Sequence, residues 1–82
     1  MLKETELREA TYQWIEALPK GTLFYSEQLY RFLEENFPNE CNKRGDTSNE
    51  PRYRNDARWA VRDAKDRKIA KSTNKRGKYQ RI

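Results

Sequence analysis

The sequence predicts an α+β domain of three helices and a small antiparallel sheet, the sheet made from a short strand after the first helix and a C-terminal hairpin. Three observations carry that expectation. Apolar residues recur at helical spacing in three separate stretches, proline and glycine punctuate the chain between them, and residues 69–82 read as two short strands about a glycine turn. With 82 residues there is room for one domain, 1–82, and none for a second. A mean hydropathy of -1.33 and 38% charged residues would suit a disordered chain. Two Trp, five Tyr and three Phe, placed at helical spacing, argue for a folded one.

The first helix is expected over 5–18, where Leu7, Ala10, Trp14 and Leu18, with Ile15 beside them, make an amphipathic stripe. Pro19 ends it, and Glu6, Arg8, Glu9, Tyr12, Gln13 and Glu16 face outward. Residues 21–25 are fenced by Pro19, Gly21 and Ser26 and read as a short strand. Ser26 then suits the cap of a second helix, with Glu27 complementing its dipole and Leu29, Phe32, Leu33 and Phe37 buried until Pro38 stops it. Residues 38–50 hold no large apolar side chain and are dense in Asn, Gly, Asp and Ser, so a long loop, functional or mobile, is expected there, with Lys43 and Arg44 in reach of a phosphate backbone.

The third helix is expected from Pro51 or Tyr53 to Lys68, with Tyr53, Ala57, Ala60, Val61 and Ala64 within one arc. That slim arc invites close packing, with the bulk supplied by Trp14, Phe32 and Leu33. Strands at 69–73 and 78–82 enclose Asn74-Lys75-Arg76-Gly77, where Gly77 can take the left-handed position that a hairpin turn needs.

Composition narrows the chemistry. Cys41 stands alone and histidine is absent, so neither an internal disulfide nor a recognisable zinc-ligand set is expected. There is no Gly-rich phosphate loop, and no Ser or Cys lies beside a plausible base, so a non-enzymatic protein without metal or cofactor is expected. No apolar run suits a bilayer and the Met-Leu-Lys start lacks a signal-peptide core, so membrane partners are not expected and the cytosol is the default compartment.

Charge is segregated along the chain. Residues 1–50 carry six Lys and Arg against ten acids, whereas residues 51–82 carry twelve against three. A basic region of that kind is the electrostatic footprint of a polyanion binder. On the third helix, the side opposite the small-residue arc holds Asn55, Arg58, Trp59 and Arg62, flanked by Arg54 and Lys65. Arg can pair bidentately with guanine and Asn with adenine, so Asn55 and Arg58 are the base-reading candidates and the flanking cations the phosphate contacts. Lys71, Lys75, Arg76, Lys78 and Arg81 form a second basic cluster, around Tyr79, in the hairpin. Trp59 lies off the core arc and admits three readings: packing under the hairpin or the long loop, stacking against a sugar or a neighbouring protein, or an aromatic of no consequence. Asp63 and Asp66 read as local partners of Arg62, Arg67 and Lys65.

The order helix, short strand, helix, loop, helix, hairpin resembles the winged helix-turn-helix family over essentially the whole chain. Residues 57–69 (ARWAVRDAKDRKI) look like the recognition helix of that family running into the first wing strand, and Arg76-Gly77-Lys78-Tyr79 is similar to its wing turn and second wing strand. Phe24-Tyr25-Ser26, Leu29-Tyr30-Arg31-Phe32-Leu33 and Gly77-Lys78-Tyr79 resemble winged helices appended to some restriction endonucleases. Two departures stand out: Lys68 occupies the place of a frequent helix-ending glycine, and the connection before the third helix exceeds that of a tight helix-turn-helix. The resemblance implies double-stranded DNA as partner and a role as a transcriptional regulator or as an accessory of a phage, plasmid or restriction system. The alternative is a protein-interaction module whose basic face is incidental, with the acidic first fifty residues or exposed Tyr12, Tyr30 and Trp59 docking a protein partner or a second copy.

Overall fold

The computed structural model describes residues 4–44 and 50–82. Its first helix, α1 (Glu4–Glu16), buries Leu7, Thr11 and Ile15, which follow one another at i, i+4 spacing. Thr11 is accommodated because its hydroxyl donates to the Leu7 carbonyl at 2.7 Å. The stripe is rotated from the one the spacing predicts. Ala10 and Trp14 sit at its half-buried margin, and Tyr12, expected outside, is 6% exposed. The reason lies in the partner, since α1 packs chiefly on the last long helix, whose fully buried Ala57, Ala60 and Ala64 admit the closer approach of one flank of α1.

A turn at Gly21, φ +90°, leads into β1 (Leu23–Tyr25), and α2 (Ser26–Asn36) follows without a gap. Because the chain passes straight from strand to helix, the cap is the extended Tyr25 and not Ser26. Gln28 Oε1 accepts from the Tyr25 amide at 2.7 Å, and the Ser26 amide donates to the Gly77 carbonyl at 3.0 Å. Leu29 and Leu33 are the buried residues of α2, with Phe32 and Phe37 partly buried beside them.

Pro38 opens a helix where a loop was expected. α3 runs Pro38–Arg44, so the described residues hold four helices where three were predicted. Proline suits a first turn, where its missing N–H would have had no partner, and Glu40 complements the dipole there. Cys41, 6% exposed, supplies the apolar anchor that the segment otherwise lacks. Helix thereby replaces the expected loop at 38–44; residues 45–49, and the reach of the Lys43 and Arg44 side chains, lie outside the described residues.

α4 (Arg52–Asp66) follows Pro51 and buries Tyr53, Ala57, Ala60, Val61 and Ala64 as the wheel predicts, together with Asp56. Its end is a complete Schellman motif, in which the Ile69 amide donates to the Ala64 carbonyl at 2.9 Å and the Lys68 amide to the Lys65 carbonyl at 3.0 Å. Lys68 takes the left-handed position, φ +62°, that glycine favours.

β2 (Ala70–Ser72) and β3 (Lys78–Arg81) form the expected hairpin, and β3 pairs on its other side with β1, giving an antiparallel sheet of order β1-β3-β2. Phe24, Tyr79 and Ser72 stand opposite one another on the inner face, which also carries Ala70 and Arg81. Leu23, Tyr25, Lys71, Lys78 and Gln80 take the outer face. Phe24 is 1% exposed and joins the layers, its ring centroid 5.6 Å from Tyr79 and 6.2 Å from Trp14, which in turn lies 6.1 Å from Phe32. Among the described residues no helix is long and apolar enough to cross a membrane.

Candidate nucleic-acid interface

Burying the alanine arc of α4 against α1 and α2 leaves its opposite side outward. That side carries Arg58, Trp59, Arg62 and Lys65, all exposed, with Asn55 half-buried at the rim. Asn55, Arg58, Trp59 and Arg62 line one shallow depression of about 230 Å³. Lys65 Nζ donates to Ser72 Oγ at 3.4 Å, which brings the C-terminal end of this row beside β2.

A second, larger cleft of about 390 Å³ joins α4 to the hairpin turn, lined by Arg58, Tyr30, the first residues of α2, Arg76, Gly77 and Tyr79. Two features hold the turn there. The Ser26–Gly77 hydrogen bond ties it to α2, and Gly77, φ +77°, makes the left-handed bend predicted for it. Thr73 closes the turn from within, its hydroxyl donating to the Lys78 carbonyl at 2.9 Å and accepting from the Lys75 amide at 3.2 Å. Tyr25 lines the same cleft, with Lys78 Nζ 5.6 Å and Lys75 Nζ 5.9 Å from its ring centre. Arg62 and Arg58 thus share one depression and Arg58 and Arg76 the next, whose lining includes the acid Glu27, while Lys75 and Lys78 lie beside Tyr25 at its edge; with Lys65 at the α4 end these cations form a band.

Three of the predicted contacts fall elsewhere. Arg81 is on the inner face of the sheet, where its guanidinium donates to the Glu16 carbonyl at 3.2 and 3.3 Å and to the Ile69 carbonyl at 3.2 Å. It fastens the end of α1 to the hairpin, because strand alternation turned it inward. Arg54 is half-buried with its guanidinium 5.0 Å from the Tyr30 ring centre, and its Nε is buried without an acceptor among the described residues. Lys71 is on the outer face opposite Gln80, and no contact among the described residues joins it to the band.

Several groups acquire roles that residue type alone did not signal. Arg8 reaches from α1 to α4, donating to both carboxylate oxygens of Asp63 at 2.6 Å while its guanidinium lies 5.3 Å from the Trp59 ring centre. Asp63, expected to pair within α4, is therefore clamped across helices, and that hydrogen bond holds its carboxyl below the ordinary carboxylate value. Arg62 lies 5.0 Å from the same indole, so Trp59, 46% exposed, is a surface residue clasped by two arginines rather than a plug beneath the hairpin. Tyr12 is covered by Arg67, 4.6 Å from its ring centre, which removes it from the exposed aromatics. Nothing in the local sequence flags Arg8.

Arg58 is the most heavily engaged cation of the band. It donates to Tyr30 Oη at 3.2 Å, to the Glu50 carboxylate and to Asn55 Oδ1, so the two base-reading candidates are bonded to one another. Both are held in place before any ligand arrives. Cys41 lies apart from the band, and burial pushes its thiol up to about 11, which leaves it protonated and unreactive at neutral pH. Among the described residues no group of three or more His, Cys, Asp or Glu side chains could hold a metal ion. The arrangement is suited to binding anions over an extended path, through charge-assisted hydrogen bonds from guanidinium and ammonium groups. No protein-family model matches this chain, and no curated protein or solved structure matches it either.

Proposed function

We propose that this chain is a winged helix-turn-helix module that binds double-stranded DNA and performs no catalysis, with α4 as its recognition helix and the β2–β3 hairpin as its wing. The observation that carries the reading is the set of cations lining adjoining depressions from the outer side of α4 to the hairpin turn. A helix of 15 residues is about 22 Å long and fits a major groove about 12 Å wide, so α4 can enter while the hairpin lies on the backbone or an adjacent minor groove. Asn55 and Arg58 read bases. Arg62, Lys65, Lys75, Arg76 and Lys78 contact phosphates, and Trp59, its ring attended by two guanidinium groups, contributes an apolar edge rather than a stacking platform. Such a module acts in the cytoplasm as a transcriptional regulator or as an accessory to a phage, plasmid or restriction system.

Two measurements test this reading. Neutralising about five phosphates gives a slope of log affinity against log salt near -4.5, a loss of several hundredfold between 50 and 200 mM. Selection of duplexes from a random pool at two ionic strengths reads that slope and any sequence preference together. Replacing Arg58 and Arg62 by Glu should abolish duplex retention with the circular dichroism of the fold unchanged. Retention equal to that of the parent chain, or a slope near zero, would remove DNA as the partner and leave the protein-interaction reading.

A further inference from the structure

Glu50 immediately precedes Pro51 and α4, and its carboxylate meets the Arg58 guanidinium. The side chain of a helical residue leans toward the helix N-terminus, which is how Arg58 comes back to meet a group from before the helix. Arg58 has three acceptors here: the Tyr30 hydroxyl, the Asn55 amide oxygen and the Glu50 carboxylate. The first two are neutral and can stay in place when a base edge or a phosphate approaches. The third carries the same charge as a phosphate and competes for the same guanidinium.

The pair is neither buried nor fully exposed, with Arg58 at 44% and Glu50 at 27% side-chain exposure. That degree of exposure makes the contact exchangeable, whereas a deeply buried pair would lock the arginine away permanently. We infer that Glu50 is a gate, an internal anion that occupies Arg58 in the free protein and must be displaced when the band takes up a nucleic-acid ligand. The inference rests on the DNA-binding reading above and adds to it an internal competitor for one of its contacts. Any anion or base edge that takes the guanidinium must first release the carboxylate, so the pair weakens binding through Arg58.

The experiment uses the full chain and the variants Glu50→Gln, Arg58→Ala and the double variant, with Glu35→Gln making the same charge change on α2. Removing the carboxylate should tighten binding to a mixed-sequence duplex about fivefold, equivalent to about 1 kcal/mol at 1.4 kcal/mol per decade, and steepen the salt slope by about 0.9 as Arg58 gains a phosphate. The gain should vanish in the Arg58→Ala background and be smaller for Glu35→Gln. A second arm dispenses with DNA: NMR of the Arg58 guanidinium during titration with inorganic phosphate should show the anion acting at lower concentration in Glu50→Gln than in the parent. An unchanged phosphate titration, or a duplex gain that persists without Arg58, overturns the gate while leaving DNA binding intact. A phosphate response without duplex binding by any variant keeps the gate and ends the DNA reading.

Discussion

Arg76 and Arg81 belong to the same hairpin, and the fold uses them in opposite ways. At the turn, Arg76 is exposed over the cleft that leads to α4. At the far end of the sheet, Arg81 spends its donors on the carbonyls of Glu16 and Ile69 and joins the end of α1 to the strands. The positive charge of the hairpin therefore includes two kinds of cation. One is structural and turned inward by strand alternation, and the other lines the cleft that faces α4.

The sharpest way to break that comparison is Arg81→Ala. Losing charge-assisted hydrogen bonds to main-chain carbonyls should cost about 2 kcal/mol and lower the melting temperature by roughly 8–16 °C. Measured well below the transition, the salt slope of duplex binding should remain that of the parent chain. A slope change without a stability change would move Arg81 into the band.

Lys68 represents a third use of a cation, as a backbone element in the left-handed position of the α4 Schellman motif. Lys68→Gly should stabilise the protein by about 1 kcal/mol, read by urea unfolding, because a side chain in that conformation is strained. Destabilisation by the same substitution would show that the lysine side chain itself contributes.

The Arg8–Asp63 clamp gives acid sensitivity with a definite sign. The folded carboxyl titrates below its ordinary value of 3.8, so the stability it contributes is present above that value and is lost as pH falls through the lower, folded one. Asp63→Asn should flatten this part of the acid unfolding curve. An acid limb identical in the two proteins would separate the clamp from stability.

The smallest stability effect is expected at Arg76, and it sharpens the contrast with Arg81. Arg76→Ala should change the free energy of unfolding by less than about 0.5 kcal/mol while reducing the salt slope of duplex binding by about 0.9. A large loss of stability would return Arg76 to the structural population.

Several elements were legible from local chemistry. Pro19, the Gly21 turn and Pro51 delimit α1, β1 and α4, and the alanine arc of α4 named its buried side because only one orientation hides Ala57, Ala60, Val61 and Ala64 together. Gly77 marked the hairpin turn for the same kind of reason, since the bend needs a positive φ. α3 was not legible. Its buried anchor among the described side chains is a cysteine, and a proline that ends one helix also suits the first turn of the next.

The sequence by itself determined the α+β class, the segregation of charge and the outward side of α4, because helical and strand periodicities act over a few residues. Which late cations share a surface was decided by the tertiary structure alone. Arg81 turns inward once β3 lies between β1 and β2, Arg54 rests on Tyr30 once α2 meets α4, and Arg8 joins Asp63 and Trp59 once α1 lies along α4. Those fates depend on side chains far apart in the chain becoming neighbours, and only the folding of the whole domain brings them together.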